Sequence, residues 1–85
     1  MNIKLEIFKK KLIYRAAYRG TKEMDILLSS FVNKHIDLFN ENQLLELDKF
    51  LNFDDEVILN FYQHNTIENQ IDENSVSLIF KNFRL

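Results

Sequence analysis

Thr21-Lys22-Glu23-Met24-Asp25-Ile26-Leu27-Leu28-Ser29-Ser30-Phe31-Val32-Asn33-Lys34 is the stretch that decides the fold. Met24, Leu27, Leu28, Phe31 and Val32 recur at three- and four-residue intervals, the period of an α-helix with one buried side. Thr21 is placed to cap this helix, and Glu23 and Asp25 fall in its first turn, where negative charge is favoured by the helix dipole. The pattern predicts a helix from about residue 22 to residue 34.

Upstream, Leu5, Phe8, Leu12 and Ala16 give a second helical stripe over about residues 3–18, with Lys4, Lys11, Arg15 and Lys22 on a wetter side. The only glycine, Gly20, is expected to end it by taking the left-handed conformation. A short turn there makes the two helices a hairpin. Downstream, Asn40 and Gln43 form a capping-box pattern ahead of Leu44, Leu47, Phe50 and Leu51. Asp54 or Asp55 is expected to cap a shorter helix carrying Val57, Ile58, Phe61 and Tyr62. A last helix over about residues 72–83 aligns Val76, Ile79, Phe80 and Phe83. Residues 63–71 are polar apart from Ile67 and Ile71 and give the weakest pattern. The sum is an all-α, five-helix single domain over residues 1–85. These helices are short for isolated peptides, so burial of their stripes must hold them.

Composition agrees. The 85 residues contain one glycine and no proline, too little of either for a sheet protein built on tight turns. Surface scaling at 10.3 kDa gives roughly 5,400 Å² folded against about 15,000 Å² unfolded, enough for one modest core and no deep nucleotide cleft. The absence of cysteine excludes disulfides, cysteine-ligated zinc or iron–sulfur, and thiol nucleophiles. No run of 18 apolar residues is present, and the N-terminal lysines are not followed by a secretory pattern. A soluble, cytoplasmic protein is expected.

The net charge of -2 is unevenly spread. Residues 1–22 hold seven Lys/Arg and one acidic group, Glu6, whereas the remainder holds four Lys/Arg and twelve Asp/Glu. A basic head on an acidic body steers association with a charged partner without identifying it. Lys9, Lys10, Lys11, Arg15, Arg19 and Lys22, interleaved with Tyr14 and Tyr18, also fit a nucleic-acid contact, but the acidic body opposes it.

Catalytic patterns are lacking. His35 and His64 form no HExxH motif and are expected on the surface; Ser29, Ser30, Ser75 and Ser77 have no nucleophile elbow; no glycine-rich loop cradles a phosphate. Paired carboxylates such as Asp54 and Asp55 are explained by capping, and no calcium-loop spacing exists. One constellation stands apart: Arg19-Gly20-Thr21-Lys22-Glu23, with Arg15 one turn upstream. It reads either as a hairpin with an internal Arg19–Glu23 ion pair or as a polar contact patch for another molecule. Both readings use the same atoms.

The segments Leu12-Ile13-Tyr14-Arg15 and Tyr18-Arg19-Gly20-Thr21-Lys22-Glu23-Met24-Asp25-Ile26-Leu27-Leu28 closely resemble the signature of the succinate dehydrogenase assembly factor 2 family, whose bacterial members are SdhE/YgfY. Its RGxxE motif falls on Arg19, Gly20 and Glu23. Phe50-Leu51-Asn52-Phe53-Asp54-Asp55 matches a second family segment, and the resemblance extends over about residues 8–62. Glu56 stands where the family commonly has proline, and Phe61 where tryptophan is common.

The resemblance implies a five-helix bundle that is an assembly factor, or chaperone, and not an enzyme. It implies binding to the succinate dehydrogenase flavoprotein subunit, and also to that of fumarate reductase, with promotion of covalent FAD attachment to a histidine of the partner. FAD would then be carried by the partner and not bound stably by this chain alone. The implied partner-binding residues are Arg15, Arg19, Gly20, Glu23 and Asp25. The rival expectations are a helical interaction module with another partner and a basic nucleic-acid-binding module.

Overall fold

Met24, Leu27, Leu28, Phe31 and Val32 are all buried, as their spacing predicts, and they form the centre against which the other helices pack. The computed structural model describes residues 3–63, 71 and 73–85. Five helices follow in order: α1 (Ile3–Ala17), α2 (Lys22–His35), α3 (Glu41–Phe50), α4 (Asp55–Gln63) and α5 (Ser75–Asn82). No strand occurs among the described residues. The protein is an all-α five-helix bundle.

α1 lies along α2 through Leu12 and Ala16, with Leu5 and Phe8 half-buried at the margin. α3 packs on α5 and on α1, and α4 packs on α5. Caps define the ends. The Thr21 hydroxyl accepts from the Met24 amide at 3.2 Å, and Asn40 and Gln43 form the reciprocal capping box. α5 begins at Ser75, not near residue 72, because Asn74 and Ser77 make a second capping box, with serine in place of the usual Glu or Gln. That pairing also satisfies the hydroxyl of Ser77, which is buried.

The far side of the core is aromatic. Phe31 meets Phe80 and Phe83 edge-on at 5.1 and 5.5 Å, and Phe50 and Tyr62 reach Phe80 at 5.0 and 5.1 Å. His35 is half-buried instead of lying free on the surface: its Nδ1 is 2.9 Å from the Phe31 carbonyl and its ring stacks on Phe39. Ile71 is buried, whereas the expectations placed on His64, Ile67 and Asp72 fall outside the described residues.

Candidate functional site

Residues 18–21 carry the chain from α1 into α2, and residues 51–54 carry it from α3 into α4. The two corners are bolted together. From the first, Arg19 sends its side chain inward: Nε donates to Asp55 Oδ1 at 2.6 Å, and the two terminal nitrogens donate to the Leu51 and Phe53 carbonyls at 3.0 and 2.8 Å. The other oxygen of Asp55 accepts from the Gly20 amide at 2.8 Å. Asp25 reaches back from the first turn of α2 to accept the Arg19 amide. Arg15, one turn earlier, bonds the Asp48 carboxylate, the Asp48 carbonyl at 3.1 Å and Asn52 Oδ1 at 2.6 Å.

Arginine suits this place because its planar fork serves three acceptors while keeping its charge. The Arg19 side chain is only 11% exposed and that of Asp55 24%, so solvent screens their attraction far less than at an open surface. Carbonyls at the ends of α3 and in the following turn, which a helix leaves unsatisfied, gain a charged donor.

Three sequence expectations are corrected here. Arg19 pairs with Asp55, 36 residues away, and not with Glu23. Gly20 does not take the left-handed conformation; no glycine in the chain has positive φ. Its small size matters for another reason, since a Cβ at this position would lie 3.1 Å from Asp55 Oδ2. Glycine therefore lets the carboxylate close on the backbone amide. Asp55 likewise does not cap α4 with its side chain; the carboxylate is turned across the corner to Arg19 and Gly20.

The five expected site residues thus divide. Arg15, Arg19 and Asp25 are half-buried and committed to bonds within the chain. Gly20 and Glu23 are exposed, and the Glu23 side chain makes no hydrogen bond or ion pair among the described residues. The outer face of the corner is accordingly a bare backbone turn beside a carboxylate without an internal counter-ion.

Nothing in the local spacing marks Asp48, Asn52 and Asp55 as members of this site. The Asp54–Asp55 pair was visible, but local capping explained it. The basic head is also dispersed: Arg15 and Arg19 face inward, and Lys9 lies 3.6 Å from Asp37 and 3.9 Å from Glu6. That leaves Lys10, Lys11 and Lys22 exposed, too few for the phosphate-tracking surface that the six cations implied. No group of three His, Asp or Glu able to hold a metal ion occurs among the described residues. Nor is any of their helices long and apolar enough to cross a membrane.

A sequence profile of the family described as "Flavinator of succinate dehydrogenase" matches residues 10–84. The chain belongs to this family. The matched span contains both corners and every residue of the Arg15 and Arg19 networks. Succinate dehydrogenase assembly factor 2-B, mitochondrial, of Drosophila simulans is 48% identical over 48 residues, which cover 56% of this chain and 31% of that protein. The Drosophila melanogaster counterpart is 46% identical over 48 residues, with the same 56% and 31% coverage. Succinate dehydrogenase assembly factor 2, mitochondrial, of Meyerozyma guilliermondii is 44% identical over 46 residues, covering 54% of this chain and 34% of that protein. The chain spans about a third of the length of these curated relatives. No solved structure matches it.

Proposed function

We propose that this chain is an assembly factor for succinate dehydrogenase. It binds the flavoprotein subunit through the Gly20–Glu23 corner and promotes covalent attachment of FAD to a histidine of that subunit. The fumarate reductase flavoprotein is a second partner of the same kind. The observation that carries this reading is the exposed Gly20–Glu23 turn, held from behind by Asp55 and Arg19, within a chain of the flavinator family.

A bare glycine backbone lets another surface come close, and an exposed carboxylate in the first turn of α2 offers paired acceptors to it. Arg15, Arg19 and Asp25 contribute by fixing this turn in one shape. Such preorganisation lowers the ordering cost of association. The chain contains no nucleophile elbow or phosphate loop, and the chemistry is left to the flavoprotein's own groups, whose reactive conformation the factor stabilises. The factor acts in the cytoplasm, where it meets the apo flavoprotein before membrane assembly.

Co-expression of the apo flavoprotein with and without this chain tests the reading. Complex recovery and in-gel fluorescence of covalently bound flavin are expected to rise together when the wild-type chain is present. Recovery of no complex, or unchanged covalent flavin, contradicts the assignment.

A further inference from the structure

α1, with the first residue of the turn that follows it, carries a second surface beside the Gly20–Glu23 contact. Ile3, Ile7, Tyr14 and Tyr18 recur at helical spacing on the side opposite Leu5, Phe8, Leu12 and Ala16, and they are 72%, 49%, 63% and 71% exposed. Single exposed apolar residues need no explanation, but an aligned row of large ones does. The Tyr14 and Tyr18 rings pack on each other with centroids 4.5 Å apart. Their packing limits the freedom each would lose on being covered, and tyrosine is among the residues that most often dominate an interface. The row ends two residues before Gly20. Lys10 and Lys11 lie beside it and Lys22 opens α2; all three are exposed, and none has a carboxylate partner among the described residues.

We propose that the Tyr14–Tyr18 strip, with Lys10, Lys11 and Lys22, is the second half of the docking surface and seats an acidic patch of the flavoprotein. This rests on the function proposed above and extends its contact from the corner along α1. The strip runs directly into the corner, and its unpaired lysines call for a partner of negative charge. A nucleic acid fits less well, because the aliphatic Ile3 and Ile7 continue the row and the arginines are turned inward. An anionic lipid surface is continuous and would also meet the exposed Glu6 and Glu23 as like charges, whereas a bounded acidic patch can face the lysines alone.

Titration of purified apo flavoprotein with wild-type chain, a Tyr14→Ala/Tyr18→Ala double variant, a Lys10→Glu/Lys11→Glu double variant and Gly20→Arg tests this directly. Loss of both rings is expected to weaken binding roughly 30-fold with an unchanged thermal unfolding midpoint. Charge reversal is expected to weaken it about tenfold in low salt, shrinking to about twofold in 0.5 M salt, because exposed charges are screened. The lysine variants leave the rings in place and so test the strip independently of any effect on α1. If both double variants bind as wild type while Gly20→Arg does not, the strip is rejected and the corner stands. If wild type itself does not bind, both fall. Tyrosine-dependent capture by anionic vesicles or RNA, with flavoprotein affinity unaltered in the double variants, also overturns the proposal.

Discussion

Around Phe80 the bundle is held by rings, whereas around Arg19 it is held by charge. Phe31, Phe50 and Tyr62 surround Phe80, Phe83 packs on Phe31, and the group buries apolar surface with one side-chain hydrogen bond among the described residues, from the Tyr62 hydroxyl to the Phe83 carbonyl. At the other site Arg19, Asp55, Asp25, Arg15 and Asp48 bind through oriented hydrogen bonds between residues up to 36 positions apart. Packing of the first kind sets stability and tolerates exchange among apolar residues of similar volume. Bonding of the second kind fixes the shape of a corner, because a buried charge tolerates few alternative partners. A protein that needed only to fold could close this corner with hydrophobic residues. Here charge holds the one turn that exposes a glycine backbone and an unpaired carboxylate.

The largest expected effect lies on the aromatic side. Phe80→Ala removes a fully buried ring and should destabilise the fold by about 3–5 kcal/mol, read as a lower urea midpoint. Its effect on flavoprotein binding should follow the folded fraction and nothing more. Asp55→Ala leaves Arg19 half-buried without its carboxylate and frees the Gly20 amide. It is expected to cost roughly 2–4 kcal/mol, below the range for a fully buried pair because Asp55 keeps some contact with water. Unlike Phe80→Ala, it should also weaken flavoprotein binding at temperatures where the variant is fully folded. If it behaves like Phe80→Ala in both assays, the difference between the two regions disappears.

Arg15→Ala should cost about 1–2 kcal/mol, since its bonds to Asp48 and Asn52 are more exposed than those of Arg19. Gly20→Ala sets two small effects against each other. Alanine restricts the unfolded chain, which stabilises, but its Cβ meets a carboxylate already held by Arg19 and the Gly20 amide. The net expectation is a loss of about 0.5–1 kcal/mol, checked by the urea midpoint. A gain would show that Asp55 yields easily and that the corner is looser than its bonding implies.

The aromatic region was largely legible in the sequence and the charged corner was not. Val76, Ile79 and Phe80 declare their helix through spacing alone, and Asn40 with Gln43 declares a cap, because both signals lie within a few residues. The Asn74–Ser77 cap was missed since serine at its fourth position carries little signal, which set the expected start of α5 too early. Arg19 offered a local partner in Glu23, one helical turn away, and nothing in the spacing pointed to Asp55 across the molecule. The family resemblance marked Arg19, Gly20 and Glu23 together. The structure separates them, with an arginine inside and a glycine and a glutamate outside.

That separation makes Glu23→Ala the sharpest test. The substitution removes an exposed side chain with no internal bond, so the thermal unfolding midpoint should not move. When this variant is co-expressed with the apo flavoprotein, covalent flavin fluorescence should fall at least about tenfold, as expected for loss of a charged interface contact. Full flavinylation by a correctly folded Glu23→Ala chain would contradict the account.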